Sequence, residues 1–384
     1  MDSREAVFAI VRAEGFELAG IAPAAEVAEA RAAALEALRE GRLAEMGWMT
    51  GEWLERATTP DRFLPGARSI IVVALPNHSP EPEPPGDGAS RGRVARYARG
   101  RDYHRVFETR LRRIARRIRE EFGAEARATV DYGPLLERPY AELAGLAWRG
   151  KSTMALVPGF GPWVMLGVVA TTLALQPDEP LRKSCGSCVR CIAACPTGAI
   201  APDGHVVDSR LCISYQTIEN RGAIPRELRA RFGDWVFGCD ACLDACPVGA
   251  GRYESNPDFL PPSPEDAAPG LTELLALDEA AFAERFRGRA IMRAKRDGLV
   301  RNACVALGNV GAPGDLEALT GALADPSPTV RGHAAWAVAA LANRHNLTAS
   351  ARMALENALA LEHDSAAREE FVLALAELRR DNDG

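Results

Sequence analysis

Eight of the nine cysteines fall between Cys185 and Cys246, in "CGSCVRCIAACPTGAI" (185–200), an isolated Cys212 and "GCDACLDACPVGA" (238–250). Cys185, Cys188, Cys191 and Cys195 follow C-x2-C-x2-C-x3-C-P, in which three thiolates hold one [4Fe–4S] cluster and the fourth reaches a second. Cys239, Cys242 and Cys246-Pro247 supply C-x2-C-x3-C-P, and Cys212 the remaining ligand. The exchange of one cysteine between groups assigns Cys185, Cys188, Cys191 and Cys246 to one cluster, and Cys195, Cys212, Cys239 and Cys242 to the other. Disulfides and structural zinc are the competing uses of paired thiols. Neither accounts for the triple spacing or for the two Cys-Pro ends. Such a module moves single electrons and performs no bond chemistry alone, so either another part of the chain receives them or the protein is a carrier. Cys304, alone in "VRNACVALGNVG", reads as a core cysteine.

These ligands need elements to position them. A chain of 384 residues predicts two or three domains. Strands expected at 68–77 and 126–134 alternate with helices, one ending in "RRIARRIREEFG", which gives an α/β or α+β domain over 1–178. The double-cluster segment occupies 179–256, "PDFLPPSPEDAAPG" (257–270) reads as a linker, and 271–384 carries helix pairs resembling HEAT-type repeats. The Pro/Gly-rich stretch 76–92 reads as a flexible surface loop.

The uncharged run 152–177 is long enough to cross a membrane, but Pro158, Gly159, Gly161 and Pro162 break it, and a buried hairpin is expected instead. "MDSREAVFAIVRAEGF" reads as an amphipathic helix rather than a secretory leader, so a cytoplasmic protein with no membrane association is expected. A net charge of −6 argues against indiscriminate nucleic-acid binding. It leaves room for a local basic face: residues 91–119 hold twelve arginines, either as a solvated helix surface or as phosphate contacts with Tyr97 and Tyr103 available to stack on bases. Lys295, Arg296, Arg301 and Arg331 form a second basic set. "AWRGKST" lacks the first glycine of a phosphate-binding loop, and no G-x-G-x-x-G follows a strand, so nucleotide-driven chemistry finds no support.

Taken together, "RYARGRDYH", "VDYGPLLERPYAELAGLAWRGKST", the two cysteine runs, "CISYQTIENRGAIP", "RNACVALGNVG" and "RGHAAWAVAAL" resemble the tRNA epoxyqueuosine reductase family from about residue 45 to 340. The resemblance implies a cobalamin-dependent oxidoreductase that reduces epoxyqueuosine to queuosine at the tRNA wobble position, fed by two [4Fe–4S] clusters. It implies a substrate anticodon stem-loop, an external electron donor and a monomer. Asp131 of "VDYGP" becomes the proton donor, which requires a carboxyl kept protonated near neutral pH by desolvation. From the residues alone, Asp131 reads as a turn-capping aspartate before Gly133-Pro134. The family pattern also places cobalamin contacts at Arg56, Tyr97, Asp102, Tyr103, Lys151, Ser152, Cys212, Ser214, Gln216, Gly238 and Asp240. It places tRNA contacts at Lys295, Arg296, Arg301, Asn302, Arg331 and His333. For Tyr103 and His104 ordinary packing is an equal reading. The chain departs from the family pattern at Val168, Ala57 and Val248. Two other functions fit the cysteines: a corrinoid reductive dehalogenase-like enzyme, and an electron carrier with a docking repeat.

Overall fold

Four strands form one sheet in a computed structural model that describes residues 2–83 and 85–380; Met1 and Pro84 of the expected first domain and 381–384 of the helical domain lie outside these. They are β1 (Leu18–Pro23), β2 (Ser69–Pro76), β3 (Ala126–Thr129) and β4 (Val164–Thr171), in spatial order β1-β2-β4-β3. Every neighbouring pair is antiparallel, which makes the layer α+β rather than a parallel α/β sheet.

The apolar run of β2 is buried throughout because both faces of the sheet are covered. Ile70, Val72, Ala74, Val168 and Ala170 share one core with Tyr140 and Ala141 of α3 (Glu137–Leu143). The opposite face meets α2 (Tyr103–Phe122): a Cβ on Gly167 would lie 2.6 Å from the Phe107 ring, so only glycine permits this approach. Helix α2 buries Tyr103, Val106, Phe107, Leu111, Ile114 and Ile118 at helical spacing and ends at Gly123 with φ +63°. Burying each large apolar side chain contributes about 1.5–3 kcal/mol. The first helix, α1, spans Ser3–Ala13. Between α1 and α2 the chain reaches the Pro/Gly-rich stretch, whose first residues are fixed: Asn77, His78 and Ser79 are buried, and His78 stacks on Trp163 at 4.4 Å.

The expected hairpin at 152–177 is corrected. A tight turn does form, with Val157 bridged to Gly161. Its two arms then separate, Ala155–Leu156 pairing with Trp148–Arg149 while β4 inserts between β2 and β3. Hairpin chemistry is local, whereas the choice of partner strand depends on residues about a hundred positions away.

The chain divides into two compact units that do not follow linear order. The first comprises 1–80, 101–210 and 240–260, and the second 81–100, 211–239 and 261–384. In the second, α4 (Lys295–Val310), α5 (Pro328–His345), α6 (Thr348–Leu361) and α7 (Ser365–Arg380) follow one another, α4 and α7 both packing on α5. Cys304 is fully buried there, as expected of a core residue. The 257–270 segment carries short turns at Pro257–Phe259 and Pro264–Ala267, with Phe259 buried.

Candidate active site

Strand β3 ends at Thr129, and the chain turns sharply over 130–134. Asp131 occupies the left-handed region at φ +48°, which aspartate tolerates better than most residues. Gly133 permits the turn, since a Cβ there would lie 1.4 Å from Thr129 Oγ1. The Asp131 N–H donates to Glu137 Oε1 from the first turn of α3.

The Asp131 carboxylate is held from α2. Its Oδ2 accepts from Tyr103 Oη at 2.7 Å and faces His104 Nε2 at 3.1 Å. His104 Nδ1 faces Asp102 Oδ1 at 2.7 Å, and that oxygen also caps α2 by accepting from the His104 N–H at 3.0 Å. The Tyr103 and His104 rings stack with centroids 4.0 Å apart, and Tyr132, 58% exposed, lies 5.2 Å from His104. One sequence segment, Asp102-Tyr103-His104, therefore supplies two partners for the Asp131 carboxylate and a third residue that holds one of them.

The charges follow from this geometry. Burial disfavours the His104 imidazolium, but hydrogen bonds to Asp102 and Asp131 outweigh it and raise the pKa to about 9. Desolvation opposes ionisation of Asp131, yet His104 and Tyr103 prevail and hold its pKa low. Glu137 goes the other way, up to about 7, through desolvation and the Asp131 charge. The expectation of a protonated Asp131 is thus corrected: its side chain is 60% exposed and sits beside an imidazolium. With each ring nitrogen facing a carboxylate oxygen, the arrangement favours a protonated His104 over a protonated Asp131. Sequence reasoning gave His104 no more weight than packing and did not single out Glu137; the 3-residue proximity of an acid and a base in "DYH" was the available signal for the former.

None of the nine cysteines is in a disulfide. Burial raises the Cys246 thiol pKa, and so do the charges of Cys185, Cys191 and Cys188, while Cys191 is raised by burial and then by Cys185 and Cys188. Cys185, Cys188, Cys191 and Cys246 all lie in the first unit, where the Arg190–Ala194 and Ala241–Asp244 helices pack together. Soft thiolates in that grouping fit an iron–sulfur cluster. Among the described residues no three His, Cys, Asp or Glu side chains converge on a single-ion site. Of the second set, Cys195 and Cys242 belong to the first unit and Cys212 and Cys239 to the second.

The other expected contacts are spread over both units. In the first, Arg56 is exposed on the Gly51–Thr58 helix, Lys151 Nζ donates to Gly186 O at 2.9 Å beside Cys185, and Ser152 and Asp240 are buried. In the second, Tyr97 packs on Phe237 at 6.3 Å and Ser214 is half-buried. Gly238 donates its N–H to Thr217 Oγ1 at 2.9 Å, and buried Gln216 accepts from Asn220 Nδ2 at 2.6 Å. The departures lie largely inside: Ala57 and Val168 are fully buried and Val248 half-buried.

Four of the residues expected to contact tRNA are engaged within the fold. Arg301, 1% exposed, donates from Nη1 to Asn220 O at 2.9 Å and Gly222 O at 2.6 Å, and from Nη2 to Gln216 O at 2.6 Å. Asn302 is fully buried and donates to Thr217 O and Val236 O. Arg296 holds Asp325 at 2.5 and 2.8 Å. Buried His333 donates from Nδ1 to Thr329 O at 2.7 Å and accepts from the Ile224 N–H at 3.0 Å. These polar atoms are consumed internally, so none is offered to a phosphate. Lys295 is exposed, and Arg331 is half-buried against Glu362 at 2.6 and 2.7 Å.

Comparison with known proteins adds the following. Residues 57–132 match a family described as "Epoxyqueuosine reductase QueG, DUF1730", and 184–249 match a 4Fe-4S double cluster binding domain. An epoxyqueuosine reductase of Xanthomonas campestris pv. campestris is 39% identical over 88% of this chain and 96% of its own. That of Escherichia coli K12 is 39% identical over 79% of this chain and 80% of its own. A crystal structure of epoxyqueuosine reductase with an epoxyqueuosine-modified tRNA-Tyr stem loop superposes with TM-score 0.90 at 30% identity, covering 98% of each chain. A Bacillus subtilis epoxyqueuosine reductase whose catalytic aspartate loop is swung out of the active site gives 0.88 at 29% identity, over 97% of this chain and 98% of that one.

Proposed function

This chain belongs to the epoxyqueuosine reductase family, and from that premise we propose that it reduces epoxyqueuosine to queuosine in tRNA. The observation that carries the reading is the match, over 98% of the chain, to an epoxyqueuosine reductase bound to a modified tRNA stem loop. The substrate is an anticodon stem-loop carrying the epoxide at the wobble position. Membership of this family favours neither the dehalogenase-like nor the electron-carrier reading.

The reaction takes an epoxide, two electrons and two protons to an alkene and water. When bound, the two clusters would supply single electrons from an external donor and cobalamin the two-electron reducing chemistry. The eight cysteines from Cys185 to Cys246 hold the clusters. Arg56, Tyr97, Asp102, Tyr103, Lys151, Ser152, Cys212, Ser214, Gln216, Gly238 and Asp240 are proposed to hold cobalamin. The exposed Tyr132 ring beside the Tyr103–His104 stack offers an apolar face to the hydrocarbon part of a corrin. Asp131 is proposed as the group that gives a proton to the epoxide oxygen, its carboxyl oriented by Tyr103 Oη. The aspartate loop of the Bacillus subtilis relative, called catalytic there, supports that role.

Segments 1–178, 179–256 and 271–384 are proposed to serve catalysis with cobalamin, electron transfer, and tRNA binding by a HEAT-like array. Lys295 and Arg331 remain the tRNA contacts proposed for the last. The protein works as a cytoplasmic monomer; no described helix is long and apolar enough to cross a membrane. The test is anaerobic incubation of the cluster-loaded protein with cobalamin, a chemical reductant and epoxyqueuosine-containing tRNA. Queuosine is the expected nucleoside, and its absence with both cofactors bound overturns the reading.

A further inference from the structure

Forming water from the epoxide oxygen takes two protons, delivered to one atom in one turnover. The site described above presents a single exposed carboxyl, Asp131, and that carboxyl rests as an anion. A donor that begins empty and must act twice needs a neighbour that fills it. Two side chains of the first unit touch that carboxyl, Tyr103 through Oη and His104 through Nε2, and Glu137 accepts the backbone N–H of the same residue.

Tyr103 is 6% exposed and its hydroxyl is a weak acid, so it is a hydrogen-bond anchor and not a source. Glu137 accepts the Asp131 backbone N–H, so it fixes the turn, and it makes no hydrogen bond to the carboxyl. His104 differs from both. Each of its ring nitrogens faces a carboxylate oxygen, Asp102 Oδ1 at 2.7 Å and Asp131 Oδ2 at 3.1 Å. A neutral imidazole would aim a lone pair at one of these anions, so the arrangement calls for two N–H donors. The side chain is 25% exposed, which lets water reach it between transfers.

We infer that His104 is the proton relay that recharges Asp131, oriented for that task by Asp102. The inference rests on the reading of Asp131 as proton donor. In each cycle the His104 Nε2–H bond breaks and an O–H bond forms at Asp131 Oδ2, leaving a neutral imidazole that keeps its Nδ1–H toward Asp102. The Asp131 carboxyl then gives a proton to the substrate oxygen and returns to carboxylate. Water reprotonates Nε2, and a second pass supplies the second proton. The two electrons come from the external low-potential reductant through the clusters, as the family activity already requires. Because His104 acts through Asp131, it is a positioning and relay residue. The other charges around the pair are Arg105 near Asp102, Arg138 near Asp131 and Glu137.

The test uses the full cluster-loaded chain. His104→Gln is expected to lower kcat on the order of a hundredfold with little change in KM. Wild-type kcat should fall as pH rises through the His104 titration near 9, and the variant should lose that limb. Added imidazole should restore turnover to His104→Ala. A second readout needs no turnover: with histidine Cε1 carbon labels, six resonances are followed against pH, and the one missing from His104→Gln should titrate near 9 and move lower in Asp131→Asn. Unchanged kcat and pH limb in His104→Gln overturns the relay. So does a His104 midpoint near the ordinary 6.5. If wild type makes no queuosine, the functional reading fails by itself, and the carbon titration still decides whether His104 and Asp131 share the proton.

Discussion

His104 and His333 are the same residue put to opposite use. His104, in the first unit, lies between two carboxylates, and its pKa rises to about 9. His333, in the second, is 1% exposed, accepts a backbone N–H at Nε2, and has its pKa driven well below 6.5 by burial and by the Arg229 and Arg301 charges. One is a quarter-exposed imidazole placed to hold and give away a proton. The other is a neutral strut that takes one hydrogen bond and gives one. The difference teaches that in this protein the chemistry lies in the partners, and that a buried polar network can be purely architectural.

Breaking the architectural side should have the largest effect. Arg301→Ala strips the guanidinium donors from Gln216 O, Asn220 O and Gly222 O, at about 1–3 kcal/mol for each buried carbonyl that loses its partner. The expected loss is roughly 4 kcal/mol of stability, seen as a lowered denaturation midpoint. An unchanged midpoint would mean water replaces the guanidinium, and the second unit would not depend on it.

Breaking the chemical side should spare the fold. Asp131→Asn is expected to cut turnover by about a thousandfold, within the usual range for a positioned proton transfer, with cluster absorbance intact. Retained turnover would move the proton donor elsewhere.

Stability against pH sharpens the contrast further. A raised His104 pKa stabilises the fold fully below 6.5, and that contribution is lost as pH climbs toward 9. At 1.36 kcal/mol per pKa unit it amounts to about 3 kcal/mol. A lowered His333 pKa acts in the opposite window, its contribution present above 6.5 and lost as pH falls. Unfolding midpoints should therefore peak near neutrality, with His104→Gln flattening the alkaline limb alone. The smallest effect is on the surface. Lys295→Ala should weaken tRNA binding slightly and reduce the salt slope by about one. Arg331→Ala should do less, because Glu362, with a pKa near 2, already holds that guanidinium.

What could be read from the chain was what is encoded locally. Cysteine spacing, the apolar run of β2 and the amphipathic repeat of α2 each carry their meaning within a few residues. Arg301 shows the limit: its positive charge suggested a phosphate contact, and only the fold reveals that the 216–222 backbone surrounds it. Asp131 shows another. Desolvation of a carboxyl was a fair expectation, but His104 lies 27 positions earlier, and pairing with it reverses the sign of the shift. The strand partners of β4 were hidden for the same reason, since pairing across the sheet is set by distant segments.

The most direct measurement is the nucleoside at the wobble position after anaerobic incubation of epoxyqueuosine-containing tRNA with reductant, cobalamin and either wild type or Asp131→Asn. Loss of one oxygen, giving queuosine with wild type and not with the variant, is the predicted result. Epoxyqueuosine left intact by wild-type protein with both clusters and cobalamin bound would contradict the account.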